Sequence, residues 1–386
     1  MSSFIGNFDF ILPTAIRYGE GAAAGIAEKL AEDGIHSVLL ITDPGIKKQA
    51  FASDIVDSIT RRHIVVYIFD QVEPNPKDYN VKEAAVQAKV LRVDALIALG
   101  GGSPIDCAKA VSVVATHGGE IQAYKDRTRI TGKVLPLYTI PTTAGTGSEV
   151  TFSSVITDTR THFKFTIKSP SIAPRTAFID PLLTLTKPAL LTAATGLDAL
   201  THAIEAYTAR AANPLSDAAA LHAVELINTH LAEAVFEPSS REARGGMMTG
   251  SLLAGIAFSH SDVASVHCIA EALGGKYDAA HGICNAIVLP VMMEYNIEYA
   301  RERYARIARA MGIGFDTIDE GARLAVKRVQ ELADEVHLPD FRSLGVKPED
   351  LRELAENSAG NGSNRDNPRP MDADDYFNVL QILNKG

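Results

Sequence analysis

Cysteine is scarce in this chain. Cys107, Cys268 and Cys284 are spread over 386 residues with no C-x-x-C spacing. That count excludes a disulfide framework and fits a reducing compartment. No apolar run is long enough to span a bilayer. The opening residues, MSSFIGNFDFILPT, lack a charged leader and a continuous apolar stretch, so no signal peptide is expected. Positive charge is also short. Lys and Arg total 37 against 47 Asp and Glu, a net of −10, and no basic run occurs. Nucleic-acid and anionic-membrane surfaces are excluded by that balance. A cytoplasmic location is expected, with no nucleic-acid or membrane partner. No internal repeat is present.

The apolar fraction of 46% is enough for a large core, and the length favours more than one domain. The first half alternates short apolar runs with amphipathic stretches. Residues 37–42, 64–69, 95–99 and 135–140 read as strands rich in Ile, Val and Leu, as buried parallel strands are. Residues 25–31, 49–61, 81–90 and 104–115 between them read as helices. A further strand pair is expected at 150–157 and 163–167. The pattern predicts a parallel, Rossmann-like sheet with helices on its faces. After Phe178-Ile-Asp-Pro181 the character changes to helical periodicity. Helices are expected at 197–209, 214–234, 241–258, 262–273, 297–311, 317–336, 348–356 and 372–383. The expected organisation is therefore an α/β nucleotide-binding domain over 1–183 and an all-α domain over 184–386. Residues 357–370, rich in Gly, Asn and Pro, are expected to be loop.

One acid and three histidines carry the chemistry. Asp198 and His202 sit four apart in LTAATGLDALTHAIEAYTAR, which reads as helix, and positions i and i+4 share a face. A carboxylate and an imidazole on one face are half of a divalent-metal site. His267 in SVHCIAEALGG and His281 in HGICNAIVLP complete a plausible ligand set. Iron and zinc both accept Asp-His₃, so Fe²⁺ is expected with Zn²⁺ as the alternative. Taken singly, each histidine reads more readily as an ordinary polar or core residue; the whole set beside a glycine loop reverses that.

Glycine loops point to a nucleotide. ALIALGGGSPIDCAKAV sets Gly100, Gly101, Gly102 and Ser103 between a buried strand and a helix. Glycines let a phosphate approach the backbone, and a helix N-terminus offers N–H donors. The same residues read equally as a tight strand-to-helix turn. The GK[ST] ending of a P-loop and the G-x-G-x-x-G of the Rossmann fingerprint are both absent. A second loop, PTTAGTGSEVT from Pro141 to Thr151, follows another apolar strand. Asp43 closes the strand SVLLIT. An acid there binds ribose hydroxyls and repels a 2′-phosphate, favouring NAD over NADP, or it makes a turn in Thr-Asp-Pro-Gly.

These motifs resemble the iron-containing (group III) alcohol dehydrogenases, the family that includes lactaldehyde reductase and 1,3-propanediol dehydrogenase. The likeness runs over nearly the whole chain. It covers Phe10-Ile-Leu-Pro-Thr14, Tyr18-Gly19, Pro74-Asn-Pro76, GGGSPIDCAK, PTTAGTGSEVT, GLDALTHAIEAY, Gly255-Ile-Ala-Phe258 and His281-Gly282. The resemblance implies a dehydroquinate synthase-like fold: a nucleotide-binding α/β domain, then an all-helical one. It implies Asp198, His202, His267 and His281 as metal ligands. It also implies that Gly101, Gly102 and Ser103 hold the pyrophosphate, and that Asp43 and Asn75 face the adenosine end. Thr142, Thr143 and Thr151 would line the cofactor further along, with Lys164 near a ribose. The implied activity is reversible hydride transfer between a small alcohol or diol and NAD, in a homodimer or larger homo-oligomer.

One departure stands out. Many relatives carry a second histidine four residues after the third ligand, and here that position is Glu271. Glu271 is a candidate proton relay, substrate-binding group or metal ligand, and reads equally as a surface glutamate. His267 and Glu271 are the candidate catalytic side chains. His260, after Phe258, is a possible pocket-lining residue. The competing readings are a glycerol or hydroxyacid dehydrogenase, a dehydroquinate synthase-like lyase and a non-enzymatic nucleotide sensor. The lyase and phosphate readings call for several Lys or Arg near the ligands, where the sequence offers only Lys276 and Arg210.

Overall fold

Strands and helices alternate through residues 12–186 of the computed structural model, which describes residues 7–385. The order is β1 (Ala15–Tyr18), α1 (Ile26–Glu32), β2 (Ser37–Ile41), α2 (Pro44–Lys47), α3 (Ala50–Thr60), β3 (Val65–Phe69) and α4 (Asp78–Leu91). Then come β4 (Ala95–Gly100), α5 (Gly102–His117), β5 (Leu137–Pro141), β6 (Ser153–Asp158), β7 (Phe163–Lys168) and β8 (Thr176–Ile179). Six strands form one sheet in the order β1-β8-β5-β4-β2-β3. Every pairing in it is parallel. Strands β6 and β7 pair antiparallel in a separate hairpin.

The continuous apolar runs follow from burial on both faces. Successive side chains of a strand point to opposite sides. Leu39, Ile41, Leu96 and Ala98 enter one core with α4 and α5. Val38, Leu40, Ala95, Ile97 and Leu99 enter the other with α1 and α3. From β2 the chain runs outward to β3, crosses back to β4 and continues to β5. The connections after β2 and β4 therefore diverge. Such a switch point opens a crevice at the strand C-termini.

Helices alone make up residues 187–385: α6 (Ala189–Thr208), α7 (Pro214–Phe236), α8 (Arg241–Ser261), α9 (Ser265–Tyr277), α10 (His281–Ala310), α11 (Ile318–Glu335), α12 (Leu351–Ala359) and α13 (Ala373–Lys385). They share one apolar core. The chain divides into two compact units, and this helical unit also takes in residues 7–11 and 144–147. Phe10 stacks on His260 with centroids 3.8 Å apart, and His260 Nε2 lies 2.8 Å from the Ile11 carbonyl oxygen. His260 thus serves the N-terminal segment. Gly147 comes so near α8 that a Cβ would sit 2.6 Å from Gly255 Cα.

Several elements differ from the sequence expectation. Strands β1 and β8 are only four residues each and carry no readable alternation. Helix α6 begins well before Leu197, and Gly196 inside it weakens the signal. Helix α10 begins at His281 rather than Ile297, with Pro290 inside and non-helical dihedrals at Ala300. Proline removes one backbone donor and masks the helical pattern. Helix α9 starts at Ser265 because Asp262 has a φ of 66° and breaks the chain direction. Residues Gly362–Asp366 form a 3₁₀ turn within the expected loop. No single helix among the described residues is long and apolar enough to cross a membrane. Helices α8 and α9 pass that test only as a pair bent by 101°, and both feed the helical core.

Candidate metal centre and nucleotide loops

Three helices carry the four ligand candidates. Asp198 and His202 lie one turn apart on α6, His267 falls in the first turn of α9, and His281 opens α10. One ligand atom from each lies within 4.8 Å of all the others. His267 Nε2 is 3.0 Å from His202 Nε2, and His281 Nε2 is 3.8 Å from Asp198 Oδ1. The helices meet this closely because Gly282 has no side chain. A Cβ there would stand 2.8 Å from the Ala194 carbonyl oxygen. Asp198, His202 and His267 are buried, while the His281 side chain is 27% exposed and marks the open side. Phe258 stacks on His202 with centroids 4.5 Å apart, shielding that face from water.

The electrostatics suit a cation. Burial pushes the His202 pKa down to about 4, leaving a neutral imidazole at physiological pH. Burial alone would raise Asp198, but the neighbouring imidazoles outweigh it and hold the carboxyl below its usual range. Burial also works against charge on His267, yet the Glu205 carboxylate wins and raises its pKa. Nδ1 of His202 is buried without a hydrogen-bond partner. His202 Nε2 and His267 Nε2 stand at hydrogen-bond distance, so one ring N–H meets the other's lone pair, and a cation would take the place of that shared proton. A carboxylate with three imidazoles is a donor set for Fe²⁺ or Zn²⁺. The residues fit a divalent ion.

The nucleotide candidates lie on the other unit. Strands β2, β4 and β5 are neighbours, and the segments leaving their C-termini hold Asp43, Gly101–Ser103 and Thr142–Thr143. Gly100 has a φ of 149°, and a Cβ on it would strike Pro104 at 2.6 Å, so only glycine turns the chain into α5. No side chain caps the first turn of α5. Asp43 caps α2: its Oδ1 accepts from Gly45 N–H at 2.8 Å and Ile46 N–H at 2.9 Å. Its Oδ2 faces Gly100. The turn-forming role is therefore real, and one oxygen is still turned toward the glycine loop.

Asn75, Thr151 and Lys164 are buried in a protein network. Lys164 Nζ donates to Asn75 Oδ1 at 2.7 Å. Lys109 Nζ donates to Thr151 Oγ1 at 2.7 Å, Ser148 Oγ at 3.0 Å and the Ser153 carbonyl at 2.8 Å. Ser148 Oγ in turn donates to Asp106 Oδ1 at 2.5 Å. These bonds tie α5, which begins at the glycine turn, to the hydroxyl-rich loop. Burial lowers the Lys109 pKa to about 8 and raises Glu149 to about 7. Glu149 Oε1 has no hydrogen-bond partner.

A family profile described as "Iron-containing alcohol dehydrogenase" matches residues 13–181, and "Fe-containing alcohol dehydrogenase family, C-terminal" matches 192–385. The chain belongs to the iron-containing alcohol dehydrogenase family. It is 40% identical to 1,3-propanediol dehydrogenase of Citrobacter freundii, covering 94% of this chain and 95% of that protein. It is 35% identical to NAD-dependent methanol dehydrogenase of Bacillus methanolicus, covering 97% and 99%. A solved 1,3-propanediol oxidoreductase superposes with a TM-score of 0.94 at 38% identity, covering 98% of this chain and all (100%) of the other. The protein is thus an alcohol dehydrogenase with a Rossmann-like sheet and a helical domain.

Within this family frame, two residues near the ligands escaped the sequence reading. Glu205 lies one turn beyond His202, and its carboxylate meets His267 Nδ1 at 2.6 Å. Asn285 lies one turn beyond His281, and its Nδ2 donates to Asp198 Oδ1 at 2.7 Å. Helical spacing from a named ligand was the available signal for both. Glu271 sits one turn beyond His267, half-buried, and its Oε2 accepts from Asn361 Nδ2 at 2.7 Å. Its charge acts on His267.

Two outcomes follow from these contacts. Gly282→Ala should push α10 off α6 and cost about 1–3 kcal/mol, read by urea unfolding. Glu149 holds its proton longer folded than unfolded, so its own contribution to stability should fall as pH rises, against the opposite trend of His202. The fall should run from about pH 4.5, the ordinary value, to about 7. Wild type should therefore lose stability relative to Glu149→Gln across that range, and paired thermal melts check the difference.

Proposed function

We propose that this enzyme oxidises small primary alcohols or diols with NAD, and reduces the matching aldehydes or ketones, using one divalent iron. The observation that carries the reading is the convergence of Asp198, His202, His267 and His281. Those four side chains would hold the ion. When bound, the ion would supply a Lewis acid for the alcohol oxygen, and the dinucleotide would supply the hydride acceptor. Zn²⁺ is the alternative metal.

The chain's own residues supply binding and order. Gly101, Gly102 and Ser103 at the uncapped start of α5 would receive the pyrophosphate. Asp43 and Asn75 would face the adenosine end, with Asp43 disfavouring a 2′-phosphate. Thr142 and Thr143 would line the bound cofactor. Thr151 and Lys164, held by Lys109 and Asn75, would keep that loop in place. Phe258 excludes water beside His202. Glu271, oriented by Asn361, would accept the proton that leaves the alcohol. A cytoplasmic homodimer or larger homo-oligomer completes the proposal.

Three experiments test it. His202→Ala should lose bound metal and turnover while keeping the wild-type circular dichroism. Metal-stripped wild type should recover alcohol oxidation with Fe²⁺ and should prefer NAD to NADP. Full activity in the presence of a chelator would refute the metal's part. Glu271→Gln should lower kcat about 100-fold, in the range of a lost general base, and remove one limb of the pH–rate profile. An unchanged rate and profile would leave Glu271 without a chemical role.

A further inference from the structure

Glu205 is buried on α6, three residues beyond His202. Its carboxylate accepts two backbone N–H groups from the beginning of α9 and contacts one ring nitrogen. Ala264 N–H donates to Oε2 at 3.0 Å, Val266 N–H donates to Oε1 at 2.7 Å, and His267 Nδ1 lies 2.6 Å from Oε2. No side chain of α9's own N-cap does this work: Ala264 has none to offer. A helix N-terminus leaves unpaired donors and favours negative charge. One carboxylate from a neighbouring helix thus fixes where α9 starts.

The same carboxylate fixes a proton. Backbone N–H groups only donate, and an ionised carboxylate only accepts. Both Glu205 oxygens already accept from backbone. The remaining short contact therefore requires the proton on His267 Nδ1. The ring is then left with its lone pair on Nε2, the atom that faces His202 Nε2 at 3.0 Å. We propose that Glu205 is a positioning residue for the metal ligand His267, holding it as the Nδ1–H tautomer with Nε2 presented to a divalent ion. The inference rests on the metal reading above and names a residue outside the ligand set. An anionic partner also makes the imidazole a stronger donor to the ion.

Glu205→Gln separates this role from plain helix capping. The amide keeps the size of the carboxylate but replaces one acceptor oxygen with an NH₂ donor. If that NH₂ takes the Oε2 place, it faces His267 Nδ1–H and Ala264 N–H. If it takes the Oε1 place, it faces Val266 N–H. The first arrangement drives His267 to the Nε2–H form, which closes its metal-facing atom. The second leaves a neutral, weaker partner.

Three measurements decide it. The first is nitrogen NMR of histidine-labelled, metal-free wild type at mildly alkaline pH, assigned with His267→Gln. His267 is expected with a protonated Nδ1 and a bare Nε2; the opposite tautomer overturns the proposal. The second is Zn²⁺ affinity by competition with a chromophoric chelator. Glu205→Gln is expected to bind about 10- to 100-fold more weakly. The third is the visible spectrum of the Co²⁺-loaded protein, which should shift in the variant. A variant less stable than wild type, yet with equal Zn²⁺ affinity and an identical Co²⁺ spectrum, shows a structural cap only and overturns the proposal. If the variant does not fold, the wild-type tautomer still decides. Wild type that takes up no Zn²⁺ overturns the metal reading itself, and the proposal falls with it. Wild type that binds while Glu205→Gln binds equally well sinks the proposal alone.

Discussion

The helical unit depends on holding a carboxylate and three imidazoles together in a largely buried place. Two ring nitrogens face each other at 3.0 Å, with a buried carboxylate beside them. Phe258 covers one side of the cluster, and the partly exposed His281 marks the open one. The packing must therefore be strong enough to bury these polar groups, or a cation must offset the cost of desolvating them. The fold supplies the first condition through α6, which buries most of its residues against α7, α8 and α10. The ion would supply the second, and any ligand that binds only the native state stabilises it in proportion to the logarithm of its excess over Kd. Folding and metal loading would then be two parts of one equilibrium.

The sheet unit solves a different problem, which is to expose backbone donors without losing rigidity. Gly100 turns the chain at a dihedral closed to other residues. A loop so bare would be mobile if nothing braced it. The brace is the Lys109 ammonium, which meets three oxygens and joins α5 to residues 148–153. Lysine tolerates such burial only when its donors are matched, and here each has a partner. The cost appears at Glu149, a carboxyl kept from water whose proton is retained to near neutrality.

Sequence patterns revealed what repeats and hid what is shared between distant segments. The buried strands were legible from unbroken Ile, Val and Leu, and Asp198 with His202 from helical spacing. The start of α10 was not, because Pro290 and the irregular Ala300 conceal a helix that the tertiary core enforces. Strands β1 and β8 were too short to show a period. Asp43 read as either a cofactor acid or a turn residue, and its two oxygens divide between the cap and the glycine loop. Glu205 stood in plain view within GLDALTHAIEAY. Its importance comes from a contact spanning 62 positions, and no local pattern reports that.

The charge around the ligands also narrows the substrate. Asp198, Glu205 and Glu271 place three carboxylates near one divalent ion. If all are ionised, the centre carries excess negative charge. The nearby cations are already engaged: Lys276 is 3.0 Å from Asp350, and Arg210 Nη2 donates to the Pro368 carbonyl. Arg244 is buried against Thr192 and the Pro238 carbonyl, at the far end of α6 from His202. A phosphate or carboxylate on the substrate would meet repulsion from these carboxylates. A neutral alcohol meets no such repulsion, and a second hydroxyl can donate to the Glu271 carboxylate. The electrostatics of the helical unit thus favour uncharged alcohols and diols over phosphorylated or acidic ones.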